Sequence, residues 1–420
     1  MSPQCQGVLC CWPVLENRNV TNCRRRNLRA ELLALAFACF AVGPLSVLWC
    51  HQAEGQDVKA TPPITQLRAK AALIRLGTTY SRAQVATWLD ARRFIVGRWD
   101  GTITVFRTMS SESEFGPVLV DALTTPSKQG IEMLANLGGG QFVSSNDAQS
   151  LVWWRQVDND FLPLTLPFAP KYGTAVSAVR VDQNDQDLLF VGHQHGYLTI
   201  WSLSDGNERR ARPAERSTLR LMRAISLRSG DPVQWQGQSW HIRGLAVCGH
   251  RRVISVAEDG DICLLEVPSG KILSRRRYNA SAQRGLNDVA VLGDLIAVVN
   301  CAVGDADNNL WIYRIAGNSL DLVAGKRLIL DNTRDQVFTF SVELFEFGGQ
   351  PHFVASTEEG VIWLGTVRGN KIVTHNQAKV ALEGGVVLAL APSNKTVLSV
   401  GHKIQTFTIG SRPVREGEIK

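Results

Sequence analysis

What this chain lacks narrows it first. Its 420 residues contain no G-x-S-x-G turn, no H-E-x-x-H pair and no glycine-rich loop ending in Lys-Ser or Lys-Thr. The local devices that position an acyl-transfer serine, a catalytic zinc or a nucleotide phosphate are therefore missing. Gly138-Gly139-Gly140 has no helix pattern after it and reads as a hairpin turn, not a phosphate cradle. Cysteine pairs at metal or redox spacing are absent too, since Cys10 and Cys11 are adjacent and no second pair follows. Beyond residue 50 only Cys248, Cys263 and Cys301 remain, each in or beside an apolar strand-like stretch, where a thiol acts as a small buried hydrophobe. Cys248 and Cys263 fall on non-neighbouring strands of one sheet, too far apart for a bridge. Strong charge is also lacking. The net charge is +7, and the first 54 residues supply five arginines against three glutamates. The remaining excess is too small to argue for a nucleic-acid partner.

Long apolar runs are scarce, and the single one is N-terminal. Residues 1–31 form a polar leader with Arg24, Arg25, Arg26 and Arg29 close to its end. They precede LLALAFACFAVGPLSVLW, residues 32–49, within a signal or anchor segment spanning 32–50. A run of this length just spans a bilayer core, and the basic flank keeps the leader cytoplasmic. The body is thus expected to be membrane-anchored or exported, on the non-cytoplasmic side. A cleaved signal with its apolar part at 32–42 competes with the anchor. The remaining alternative is a cytoplasmic protein in which 32–49 is a buried helix. Residues 51–63, ending in Pro62-Pro63, read as a linker, and residues 411–420 as a polar tail.

What is present is a repeat. An apolar strand, a tight turn and a second apolar strand recur as FIVGRWDGTITVFR (94–107), QFVSSNDAQSLVWW (141–154), LLFVGHQHGYLTIW (188–201), RVISVAEDGDICLL (252–265), LIAVVNCAVGDADNNLWIY (295–313), HFVASTEEGVIWLG (352–365) and TVLSVGHKIQTFTI (396–409). The first strands of the copies start about 47, 47, 64, 43, 57 and 44 residues apart. That is the period of a four-stranded propeller blade, a unit that cannot bury its faces alone and must stack. Each copy is preceded by a further strand, at 84–89, 131–137, 175–181, 242–248, 286–292, 340–347 and 385–391. Six are followed by an outer strand, at 117–125, 160–167, 220–228, 271–278, 322–330 and 371–382. The seventh copy runs into the polar tail, and LRAKAALIRLG (67–77) is expected to complete its blade, closing the ring. The expected fold is all-β: a seven-bladed propeller of four-stranded blades over 64–410, behind one N-terminal hydrophobic helix.

Trp99-Asp100-Gly101-Thr102-Ile103-Thr104-Val105-Phe106, His195-Gly196-Tyr197-Leu198-Thr199-Ile200-Trp201, Asp259-Gly260-Asp261-Ile262-Cys263-Leu264-Leu265 and Glu359-Gly360-Val361-Ile362-Trp363 give the body a further character. Through them residues 64–410 resemble the WD40-repeat family of seven-bladed propellers. The family's Trp-Asp pair after the third strand is absent, since Ser202 follows Trp201 and Ile312 follows Trp311. The resemblance implies a non-catalytic platform for protein partners. The alternative is a propeller enzyme or sensor with a small ligand or ion in its central channel.

Two surfaces are candidates for partner binding. The turns between second and third strands gather Asp100, Asp147, His193, His195, Glu258, Asp259, Glu358, Glu359 and His402 on one ring face. Acidic residues before glycine are also ordinary turn chemistry, but turns do not require the histidines. The insertion 204–241 adds Arg209, Arg210, Arg212, Trp235 and Trp240, residue types that dominate interface energetics. The same insertion also reads as a solvated outer strand with a loop packed on its own tryptophans. No cofactor is expected. The longest turn, 302–309, holds Asp305 and Asp307, whose oxygens suit a calcium ion, but it lacks the glycine and distant glutamate of a calcium loop.

Overall fold

The computed structural model describes residues 64–411, apart from 76–82, 109–117, 127–128, 147–149, 184–186, 206–216, 229–239, 279–284, 304–306, 331–333, 335, 381–385, 394–395 and 402. The leader, the apolar segment 32–49 and the linker lie outside the described residues. Among the described residues no helix is long and apolar enough to cross a membrane.

The chain is a succession of antiparallel strands. Blade 1 is β2 (Ala83–Trp88), β3 (Arg93–Arg98), β4 (Thr102–Arg107) and β5 (Val118–Thr124). Blade 2 is β6 (Ile131–Gly138), β7 (Gln141–Asn146), β8 (Ser150–Val157) and β9 (Asp160–Pro167). A 3-10 turn at Pro170–Tyr172 leads into blade 3: β10 (Ala175–Val181), β11 (Asp187–His193), β12 (Tyr197–Asp205) and β13 (Ser217–Ser226). Blade 4 is β14 (Gly244–Val247), β15 (Arg252–Val256), β16 (Asp261–Glu266) and β17 (Ile272–Arg277). Blade 5 is β18 (Leu286–Leu292), β19 (Leu295–Val303), β20 (Leu310–Ala316) and β21 (Ser319–Lys326). Blade 6 is β22 (Gln336–Phe347), β23 (Gln350–Thr357), β24 (Val361–Arg368) and β25 (Lys371–Lys379). Blade 7 is β26 (Val387–Leu390), β27 (Thr396–Val400) and β28 (Lys403–Ser411), with β1 (Ile64–Arg75) as its fourth strand, antiparallel to β28 from Ile64↔Ser411 to Arg75↔Lys403. Blades 5 and 6 share one sheet, because the end of β19 pairs with the start of β22 (Cys301↔Phe338 to Val303↔Gln336).

The core follows from the pattern of the second and third strands. β3, β7, β15 and β16 are buried along nearly their whole length, so both strand faces are covered. Each apolar face meets the neighbouring blade. Met133, Val143 and Trp153 of blade 2 pack on Leu189, Val191 and Trp201 of blade 3. Equivalent layers fill every other junction, including that of blade 1 (Trp88, Phe94, Phe106) with blade 7 (Leu398, Val400, Ile404). The core is therefore seven wedges between blades rather than one central mass. Trp88 Nε1 also donates to Ala389 O of blade 7 at 3.1 Å.

The strands observed overlap the expected ones, with β1 and β13 each beginning three residues earlier than expected and the outer strand of blade 5 displaced most. The outer strand of blade 5 begins at Ser319 and ends at Lys326, earlier than the apolar run 322–330 indicates. Asn309 is the cause. Its Oδ1 accepts Leu328 N at 2.6 Å and its Nδ2 donates to Leu328 O at 2.9 Å, so a side chain replaces the ladder there.

Candidate functional site

Backbone bonds place the turns after the second strands beside the connections between blades. The residue leaving the outer strand donates to the carbonyl of the turn glycine in four blades: Thr125 to Gly101 (3.2 Å), Leu227 to Gly196 (2.9 Å), Tyr278 to Gly260 (3.1 Å) and Val380 to Gly360 (2.7 Å). All four glycines have φ between 71° and 85°, a region that residues with a Cβ avoid. These turns therefore share one ring face with the entries to the inner strands.

Most of the turn acids on this face have structural work. Asp100 Oδ1 accepts Thr102 N at 3.0 Å, and Asp259 Oδ1 accepts Asp261 N at 3.0 Å in the same geometry. Asp100 is exposed, with Oδ2 3.8 Å from Arg98 Nε. Glu359 is buried and its Oε2 accepts Leu330 N at 2.9 Å. Glu358 is half-buried beside it, its amide bonded to Phe338 O. His193 lies fully inside the protein: Nε2 is 2.8 Å from Thr199 Oγ1, which in turn accepts Trp201 Nε1 at 3.0 Å. Burial pushes its pKa down to about 4, so it is neutral and not a surface ligand. Asp147 and His402 lie outside the described residues.

Blades 3 and 4 bring the remaining residues together. The guanidinium of Arg228 lies over Tyr197 (4.9 Å) and over Trp240 (4.6 Å), a cation between two aromatic faces. Its Nε donates to His195 O at 2.7 Å, and both His195 and Arg228 are exposed. Gly196 lets the turn approach, since a Cβ there would lie 2.8 Å from Trp240 Cβ and 3.0 Å from Arg228 Cγ. Beside this stack, Arg243 Nε donates to Glu258 Oε1 at 2.7 Å, and His241 Nδ1 lies 3.3 Å from Oε2. Burial would raise the pKa of Glu258, but His241 and Arg243 outweigh it and hold the carboxyl below its usual range. Burial lowers that of His241 despite Glu258, so the imidazole is neutral next to an ionised carboxylate. Asp259 is pushed up by burial and by the charge of Asp261. Asp261 is itself neutralised by Arg275 (2.8 Å) and Arg277 (3.4 Å) from β17. The result is a rigid patch with an aromatic-flanked cation at its surface and a compensated charge network beneath it.

The comparisons with known proteins bear on fold alone. No family model matches the chain, and no curated protein matches it. Among solved structures it is similar to the β-propeller domain of Cps50 (Swd1) from Myceliophteria thermophila. The TM-score is 0.57 at 10% identity, covering 82% of this chain and all of that one. The fold is that of a WD40-like seven-bladed propeller. As 1622 solved chains match, the propeller by itself selects no partner.

Within this WD40-like propeller, Trp240 is the one described member of the insertion set, since Arg209, Arg210, Arg212 and Trp235 lie outside the described residues. Asp305 does too, whereas Asp307 is half-buried. Among the described residues no three His, Cys, Asp or Glu side chains group as metal ligands. Cys248 and Cys263 are free thiols, and burial pushes both pKa values up to about 12, far from reactive thiolates. Sequence reasoning placed Arg228 among the arginines of the insertion 204–241 but missed Tyr197, His241 and Arg243 as site residues.

Proposed function

We propose that this propeller is a non-catalytic protein-interaction platform whose contact surface is the turn face of blades 3 and 4. The observation that carries the reading is Arg228 held between Tyr197 and Trp240, next to exposed His195. Aromatic and arginine side chains on a preorganised support are the groups that anchor interfaces. Arg228 and Trp240, described residues of the insertion 204–241, belong to this surface. The test is affinity capture from solubilised membranes with tagged full-length protein, wild type against Arg228→Ala and Trp240→Ala. A stoichiometric partner lost in both variants, with melting temperature preserved, is the expected result. A partner retained by both would sink the reading. Glu359→Lys is unsuited to this test, since it would strip the buried acceptor from Leu330.

The same proposal holds the propeller at the outer side of a membrane through residues 32–49, with the ring closed by β1. The basic flank and the uncharged run support the anchor. Protease protection of the propeller in intact cells, lost on permeabilisation, is the outcome expected. A second reading, a small ligand or ion in the channel, draws support from Asp288 and Glu343, carboxyls on the adjacent inner strands β18 and β22. A ligand-dependent rise in melting temperature would favour it.

A further inference from the structure

The face opposite the candidate site carries a groove of about 450 Å³. Its lining includes Gln183 from blade 3, Arg251, Arg252, Val267 and Pro268 from blade 4, and Asn318 from blade 5. The turns between first and second strands and between third and fourth strands form this face, so the groove is separate from the patch at Arg228.

Its lining holds two arginines, and neither forms an ion pair among the described residues. Six arginines elsewhere on the propeller meet carboxylates: Arg93 with Asp90, Arg180 with Asp182 and Asp187, Arg243 with Glu258, Arg275 and Arg277 with Asp261, and Arg314 with Asp294. Arg251 is exposed and its side chain has no partner among the described residues. Arg252 spends one donor on Gly317 O (2.7 Å), and Arg223 one donor on Ser269 O (2.8 Å) at the groove's edge. Lys271 is exposed nearby. The one acid in the lining, Glu266, is engaged by Ser269 Oγ at 2.6 Å and makes no ion pair with the guanidiniums. Several donors on fixed or unpaired arginines thus point to a carboxylate-bearing occupant, because planar guanidinium forks match carboxylates two bonds at a time.

We propose that this groove is a second docking site, taking an acidic segment of a protein partner whose carboxylates meet Arg251 and Arg252. The proposal rests on the platform reading but uses another face. A nucleic-acid strand fits less well. The lining offers no aromatic side chain for base stacking. Glu266 would also oppose an unbroken row of phosphates, whereas a peptide can space its acids around it. The groove's volume is that of a site for a few side chains.

The test uses the full chain and a short fluorescein-labelled peptide of alternating Asp and Ser, read by anisotropy. Binding is expected to weaken about tenfold in Arg251→Gln and further in the double variant with Arg252→Gln, and to fall with added salt. Arg107→Gln, a matched charge change on blade 1, should leave it intact. The Arg251 side chain makes no bond among the described residues, so its variant separates binding from folding. The proposal is overturned by absent binding, by equal binding of the Asn-Ser peptide, by an unchanged Arg251→Gln, or by tighter binding of oligothymidylate or inorganic phosphate. Arg228→Ala should not affect this peptide. If it abolishes partner capture while the peptide still binds, the two faces act separately. If capture survives Arg228→Ala but peptide binding fails in Arg251→Gln, the groove stands and the first patch falls.

Discussion

At the scale of single residues, a buried histidine and a half-buried glutamate should give stability opposite slopes with pH. His193 has an ordinary pKa of 6.5 that burial lowers to about 4. Between these values the unfolded chain binds a proton that the folded protein refuses, so this contribution is complete above pH 6.5 and lost as pH falls toward 4. Glu343 behaves in reverse. Burial, then the charge of Asp288, raises its carboxyl from 4.5 to about 8. The fold then holds a proton that the unfolded chain releases, so the contribution is complete below pH 4.5 and lost as pH rises through 8. Asp288 adds to this between 3.8 and about 6, again through burial, even though Ser341 Oγ (2.9 Å) and Val342 N (3.0 Å) bond to it. Glu343→Gln should flatten urea midpoints between pH 5 and 8.5 and exceed wild type at the alkaline end. A wild-type-like slope in that variant would refute the assignment. His193→Ala removes both a packed ring and the partner of Thr199, and should cost about 2–4 kcal/mol at pH 7, seen as a lower midpoint at constant m.

At the scale of the strand, the inner strands of blades 1, 2, 3, 5 and 6 share a register slip near their first residues, at Ala83/Val85, Ile131/Met133, Ala175/Ser177, Leu286/Asp288 and Thr339/Ser341. Small residues of the second strand sit opposite four of these slips: Gly97, Ser145, Gly192 and Ser356. The reason is crowding from the next blade. A Cβ on Gly192 would lie 2.5 Å from Ser177 Oγ and 2.7 Å from Ile242 Cγ2, and Ser177 Oγ itself bonds Ile242 O at 2.5 Å. Gly192→Ala should therefore loosen the junction of blades 3 and 4 and cost about 1–3 kcal/mol. Gly410→Ala, with open space around it, should be neutral in the same denaturation assay. Much of this scale was legible in the sequence: β9, β10 and β18 fall where the apolar pattern puts them, the inner strands β10 and β18 because their apolar side chains pack between blades. What was not legible depends on contacts distant in sequence. No local pattern says that Asn309 will stop β21, or that Tyr197 and Trp240 will close on Arg228. Turn acids could be read as turn acids, but Glu359 bonding Leu330 requires knowledge of the neighbouring blade.

At the scale of the whole molecule, a ring of wedges is only as strong as its junction between first and last blades. Side chains fill that junction, with Trp88 and Phe94 against Leu398 and Ile404, but side-chain packing leaves β28 an edge strand unless β1 covers it. An uncovered edge of that length would offer a row of unpaired amides and carbonyls to other chains. Two truncations separate the contributions. Removing residues 1–60 leaves Thr61–Lys420, so the propeller's melting should be unchanged. Removing residues 1–75 also deletes β1, and with it backbone bonds that each contribute about 0.5–1.5 kcal/mol net. That protein should melt lower, lose cooperativity as blade 7 frays first, and self-associate through β28 at rising concentration. Identical melting of the two truncations would mean that β1 does not hold the ring. A lower melting point only in the longer truncation would tie the fold to the segment that directly follows the linker, so that N-terminal processing could remove the leader and apolar run but must stop short of Ile64.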